Sequence, residues 1–162
     1  MTAAEPHFIA VIDIGKTNAK VALVDLEKRA EIAVAKTPNT VVQGPPYPHF
    51  DCELLFDFIL DGLANLAKSY RIDAISITTH GATAALVAAD GSLALPVLDY
   101  EHAAPDSVRA EYETVRPPFA ETGSPPLPMG LNLGAQLFWQ ARTFPAEFSR
   151  VRHILMYPQY WA

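Results

Sequence analysis

Apolar residues run almost unbroken from Phe8 to Ile14 (FIAVIDI) and again from Val21 to Val24, with the polar turn Gly15-Lys16-Thr17-Asn18 between them. Runs of this length bounded by a turn predict two buried antiparallel strands. A third strand is predicted over 30–37, after Glu27-Lys28-Arg29. The proline-rich stretch 44–48 cannot hold a helix or a central strand and is expected as an extended surface loop. Leu54, Leu55, Phe58, Ile59, Leu63 and Leu66 then recur at helical spacing, with Asp51 as N-cap and Phe50 as a staple, predicting a helix to about residue 70. The continuous apolar character of 74–79 suits the interior of a mixed sheet. Residues 84–88 and 93–98 flank Asp90-Gly91, a type I′ hairpin signal. A short helix over 105–115, stopped by Pro117, a loose proline-heavy loop over 122–128, and a helix opening at Asn132 with Leu133, Leu137, Phe138 and Trp139 complete the pattern.

Composition narrows the classes. With 162 residues the chain is one domain in size, and 50% hydrophobic against 19% charged residues predicts a globular fold rather than disorder. A formal charge of −6 without a basic cluster argues against nucleic acid and acidic membranes as partners. No apolar run approaches the roughly 20 residues of a membrane span. The opening MTAAEPH lacks the basic and apolar regions of a signal peptide, so a cytoplasmic location is expected. Cys52 is the single cysteine and excludes an internal disulfide; beside Phe50 and Leu54 it reads as a half-buried structural thiol. The five histidines are scattered singly, without zinc-site pairing.

The candidate chemistry concentrates at the first turn. Asp13, ending its strand, offers hard carboxylate oxygens. Gly15 lets the backbone approach a bulky anion, and Thr17 and Asn18 supply hydroxyl, amide and main-chain donors. Magnesium with a nucleotide asks for this set, because the ion keeps most of its waters and takes one or two carboxylates plus phosphate oxygens. Lys16 or Lys20 could neutralise phosphate charge. A hairpin turn with Gly, Asn and Lys can equally be a plain tight connection, and spacing alone does not choose. A second cluster, Thr79-His80-Gly81-Ala82-Thr83, lies at a strand end, where ligands of open α/β sheets gather. His80 reads either as a ligand contact or as a hydrogen-bonded turn histidine. Asp99-Tyr100-Glu101-His102 follows the second strand of the later hairpin as an acidic strand end, and by itself reads as solvated.

Asp13-x-Gly15-x-Thr17-Asn18-x-Lys20 resembles the first phosphate motif of the FGGY carbohydrate kinases, in the superfamily of actin, hexokinase and the heat-shock ATPases. It is not a P-loop, since a strand rather than a helix follows the turn. The later Thr122-Gly123 and Gln136-Leu137-x-Trp139 patterns, and Asn132 with Gln136, resemble rhamnulose and xylulose kinases, and the likeness covers nearly the whole chain. The resemblance implies a ribonuclease-H-like mixed α/β sheet flanked by helices, with the chain as the N-terminal part of a kinase lobe. It implies ATP and Mg2+ as cofactors, with Asp13 ordering magnesium through water and Gly15, Lys16, Thr17, Asn18 and Lys20 at the phosphates. Thr79, His80, Gly81, Asp99, Glu101 and Asn132 match sugar-contacting positions, with Gln136 as scaffold. The sequence departs from the family where Ala103 replaces a basic residue. It also lacks the Gln-Arg-Glu run of glycerol kinases and the Gln-Met-His run of xylulose kinases, so glycerol is not the expected substrate.

The implied reaction is phosphoryl transfer from ATP to a sugar hydroxyl, the sugar being a ketose such as L-rhamnulose, L-fuculose or xylulose. The family's catalytic aspartate and its adenosine-holding C-terminal lobe are expected beyond Ala162, so this chain alone is expected to be inactive. A non-catalytic sugar- or phosphate-binding module descended from such a kinase is the alternative. A hydroxyacid-dehydratase activator or acyl kinase of the same superfamily is a weaker one, since activators need cysteines for an iron–sulfur cluster. A homodimer is left open.

Overall fold

In the computed structural model, which describes residues 6–162, the strands in chain order are β1 (Phe8–Ile14), β2 (Asn18–Asp25), β3 (Ala30–Pro38), β4 (Val41–Val42), β5 (His49–Phe50), β6 (Ala74–Thr79), β7 (Ala84–Ala88), β8 (Leu93–Leu95) and β9 (Val151–Met156). The helices are α1 (Cys52–Ala67), α2 (Arg109–Val115), α3 (Phe119–Thr122), α4 (Leu133–Thr143), α5 (Pro145–Phe148) and α6 (Tyr157–Trp161). Of the opening MTAAEPH, residues 1–5 lie outside the described residues. Among the described residues no helix is long and apolar enough to cross a membrane. The described residues divide into two compact units, one of residues 6–40, 51–80 and 162, the other of residues 41–50 and 81–161.

The first unit is a four-stranded sheet in the order β3-β2-β1-β6, antiparallel except for the parallel pair β1 and β6. Register puts Ala10, Leu23 and Ile75 in one row across the sheet, and Ile12, Val21 and Ile77 in the next. Rows in register share a face. Helix α1 covers this face, starting where the Asp51 carboxylate accepts from the Leu54 amide at 3.0 Å. Helix and sheet meet closely at Gly62, where an added Cβ would lie 3.0 Å from Val21 Cβ.

Two expectations fail in this unit. β6 is not interior: among the described residues it pairs with β1 alone, and Ile75 is 54% exposed. An apolar run records what a strand could bury, not whether a neighbour is there to bury it. Leu54, counted in the helix's apolar stripe, points outward, while Cys52, Leu55, Ile59 and Gly62 are the buried positions.

The second unit is a three-stranded antiparallel sheet, order β8-β7-β9, whose central strand β7 is buried throughout. Tyr47, Leu86, Leu95, Leu98 and Trp139 form its core. Tyr47 was expected in a surface loop; instead its ring packs edge-on against Trp139, and its hydroxyl donates to Pro96 O at 2.7 Å and accepts from Gln140 Nε2 at 2.9 Å. The prolines keep the flanking chain irregular, but they do not stop a large aromatic between them from turning inward. The hairpin at Asp90-Gly91 is also not type I′. Only Gly91 has positive φ (+85°), Ala88 N donates to Ser92 O and Gly91 N to Ala88 O, so the loop has three residues with Gly91 in the left-handed position. The helix expected over 105–115 divides into a 3-10 turn at Ala104–Val108 and α2.

Buried Asp25 ends β2 and accepts the Lys28 amide at 3.0 Å, with the Lys28 ammonium also 3.0 Å away. These contacts lower its pKa from 3.8 to about 2. A depressed carboxyl stabilises the fold above its unfolded pKa and loses that effect as pH falls through the folded one. Urea midpoints of the wild type should therefore drop between pH 3.8 and about pH 2, and Asp25→Asn should flatten that part of the profile. Gly62→Ala, crowding Val21, should cost about 1–3 kcal/mol, read as a lower urea midpoint at unchanged slope.

Candidate functional site

The turn between β1 and β2 is built as a cradle. Gly15 N donates to Asn18 O at 2.9 Å, and a Cβ at Gly15 would meet that oxygen at 3.3 Å, so the tight approach favours glycine. Asn39, 5% exposed just after β3, holds the turn from below. Its side-chain amide donates to Gly15 O at 2.8 Å, and its main-chain N–H donates to Thr17 O at 2.9 Å. With both carbonyls bound from one side, Thr17 and Asn18 stand exposed, and the Asn18 side-chain amide donates to Thr17 Oγ1 at 2.9 Å.

Asp13, Gly15, Thr17, Asn18, Ala19, Lys20 and Lys36 line an open cavity of about 420 Å3. Sheet register explains the grouping. Asp13 stands opposite Lys20, which stands opposite Lys36, and Thr78 is Asp13's neighbour on β6, so the four share one row of the face that α1 leaves uncovered. Lys20 Nζ lies 2.8 Å from Glu31 Oε1 and 4.0 Å from Asp13 Oδ2. The Glu31 hydrogen bond and these two negative charges raise its pKa, keeping it an ammonium. Lys16 is half-buried and is not a lining residue of this cavity. Sequence reasoning missed Asn39 and Lys36, because both reach the turn only through the pairing of β3.

β6 ends beside this turn. His80 N donates to Ile14 O at 3.1 Å, Thr79 Oγ1 donates to His80 O at 2.8 Å, and both imidazole nitrogens are buried. The remaining predicted contacts belong to the second unit. Gly81 is exposed at its start. Asp99 is buried, with its Oδ1 accepting from Glu101 N at 3.1 Å, while the Glu101 side chain is exposed. Asn132, expected at the substrate, is the N-cap of α4. Its Oδ1 accepts from Ala135 N at 3.0 Å and its Nδ2 donates to Pro125 O at 3.0 Å. Gln136, expected as scaffold, is buried and donates to Ala82 O and Gly130 O.

One carboxylate at a strand end, a glycine-tightened turn with hydroxyl and amide groups, and two lysines thus meet around one open cavity. The mixed sheet that carries it is that of the actin- and hexokinase-like sugar kinases. A solved carbohydrate kinase from Novosphingobium aromaticivorans superimposes with a TM-score of 0.85 at 38% identity, over 94% of this chain and 32% of that one. A xylulose kinase from Rhodospirillum rubrum (TM-score 0.78, 23% identity, 94% of this chain and 33% of that one) and a gluconate kinase from Lactobacillus acidophilus (0.77, 17%, 96% and 32%) share the fold. No family model matches the sequence, and no curated protein matches it. The chain is similar to the N-terminal part of these carbohydrate kinases, consistent with the N-terminal lobe of the FGGY fold, and spans about a third of the length of these solved relatives.

Asn39→Ala removes the donor to a carbonyl pinned inside the turn, and an unsatisfied buried group costs about 1–3 kcal/mol. Chemical denaturation should show a loss of that size, whereas a change below about 0.5 kcal/mol, the range of ordinary surface substitutions, would mean that the turn holds its shape without Asn39.

Proposed function

We propose that this chain supplies the phosphate-binding turn and part of the sugar site of an ATP-dependent carbohydrate kinase. The observation that carries this reading is the cavity that brings Asp13, Gly15, Thr17, Asn18 and Lys20 together at one strand end, in a chain 38% identical to a carbohydrate kinase. Phosphoryl transfer asks little covalent chemistry of a protein and depends on positioning and on stabilising charge. Asp13 would order Mg2+ through its water shell, and Gly15, Thr17 and Asn18 would donate to phosphate oxygens. The donor set fits that ion. Among the described residues no cluster of three or more His, Cys, Asp or Glu forms a cage, and magnesium bound with a nucleotide needs only one or two carboxylates. ATP, when bound, supplies the transferable phosphoryl group. Lys20 is held as an ammonium at the rim, where it would offset phosphate charge.

On the sugar side, Thr79, His80, Gly81, Asp99 and Glu101 are the proposed contacts. The carboxylates of exposed Glu101 and of Asp99 offer acceptor oxygens of the kind that suits sugar hydroxyls, which both donate and accept. Asn132 is reassigned to capping, since both ends of its amide are committed to the backbone. A ketose such as L-rhamnulose, L-fuculose or xylulose is the proposed substrate class. The general base is proposed to come from outside these residues, as Asp13 is assigned here to the metal and no other carboxylate among the described residues lines the cavity.

An ADP-release assay on the protein that carries this chain, with ATP, Mg2+ and a panel of ketoses plus gluconate, tests the reading. Asp13→Asn should lower turnover by about 100-fold or more, the scale of removing one preorganised charge-stabilising group. His80→Ala should raise the KM for the sugar with little effect on the KM for ATP. Tight Mg2+-nucleotide binding with no turnover on any sugar would favour a non-catalytic binding module instead.

A further inference from the structure

Resting on the phosphate reading of the turn, we infer that Lys36 is a second phosphate-contacting cation of this site, and the one whose charge is uncommitted before ligand arrives. Three observations carry it. Lys36 lines the same cavity as Asp13, Gly15, Thr17 and Asn18. It stands directly opposite Lys20 in the β2–β3 ladder, so both side chains project from one face of the sheet. Lys20 is already bound by Glu31 at 2.8 Å and faces Asp13 at 4.0 Å, whereas among the described residues no carboxylate lies within ion-pair distance of Lys36.

Charge balance gives this placement its meaning. Asp13, Lys20 and Glu31 together carry one net negative charge, which repels a polyphosphate. Lys36 brings this group of four charges to neutrality, and a bound divalent ion would then turn it positive. An ammonium on a flexible four-carbon stem can meet an anion arriving over the open side of the turn, and as a point charge it needs no fixed approach angle. Lys20, engaged with Glu31, would serve to hold the row in place, and Lys36 to receive the ligand.

The phosphate-only probe is inorganic tripolyphosphate with Mg2+, which tests the cradle without an adenosine site. Its affinity for the full chain, followed by 31P line broadening and titration calorimetry at two salt concentrations, should fall about fivefold in Lys36→Ala, equivalent to roughly 1 kcal/mol. The salt dependence should shrink as well. Lys36→Arg should restore affinity, and Lys68→Ala, at the C-cap of α1 and not among the residues lining the cavity, should leave it unchanged. Equal affinity of Lys36→Ala and wild type, with Asp13→Asn impaired, would overturn the role of Lys36 and leave the phosphate reading standing. Failure of Lys36→Arg to recover would overturn a charge contact. No binding of the probe by the wild type would remove both.

Discussion

Parallel pairing of β1 with β6 is the constraint on which the first unit depends. Because the two strands run the same way in register, Asp13 beside Thr78 and Ile14 beside Thr79, their ends open at one edge of the sheet. A ligand beyond that edge can meet groups from both strands at once, as in other open α/β sheets. The His80 amide closes the arrangement by donating to Ile14 O, tying the exit of one strand to the last carbonyl of the other. β2 then leaves the turn antiparallel to β1, so the Gly15–Asn18 turn is a hairpin bend held at the sheet's rim by its own ladder. Without the parallel register, the carboxylate and the threonine-histidine end would face different edges, and no change of side chain would bring them together.

Much of this was legible in the sequence because it is local. A glycine turn between two apolar runs, a strand-end aspartate, and an aspartate before a helical apolar stripe are read within a few neighbouring residues, and β1, β2, β3 and α1 follow. What could not be read is the set of relationships across strands. Lys36 joins Lys20 only through the pairing of β3 with β2, and Asn39 reaches Gly15 only because β3 returns alongside the turn. The same limit explains β6, whose composition states a preference for burial but not the presence of a second neighbour. Tyr47 was misplaced for a different reason: its proline flanks describe the backbone, while burial was decided by a side chain large enough to fill the space beside Trp139.

In the second unit, several of the polar residues singled out in the sequence hold the shape of the chain. Asn132 and Gln136 look alike in sequence as amides near a helix start. Both are spent on the backbone, one capping α4 and the other bridging two carbonyls. Asp99 spends one oxygen on the Glu101 amide, which turns the chain and leaves the Glu101 carboxylate outside. A buried acid that shapes the loop and an exposed one at its tip are thus consecutive parts of one device.

Gln136 and Gln140 sit one turn apart on α4, and each buried amide meets a named acceptor: Ala82 O and Gly130 O for the first, the Tyr47 hydroxyl for the second. Apolar packing alone would let a helix slide or rotate by small amounts at modest cost. Two amides in sequence act instead like teeth in a ratchet, since any intermediate position strands polar groups in the core. The second unit therefore trades some hydrophobic content for an unambiguous setting of α4, and with it a fixed origin for the loop that begins at its cap.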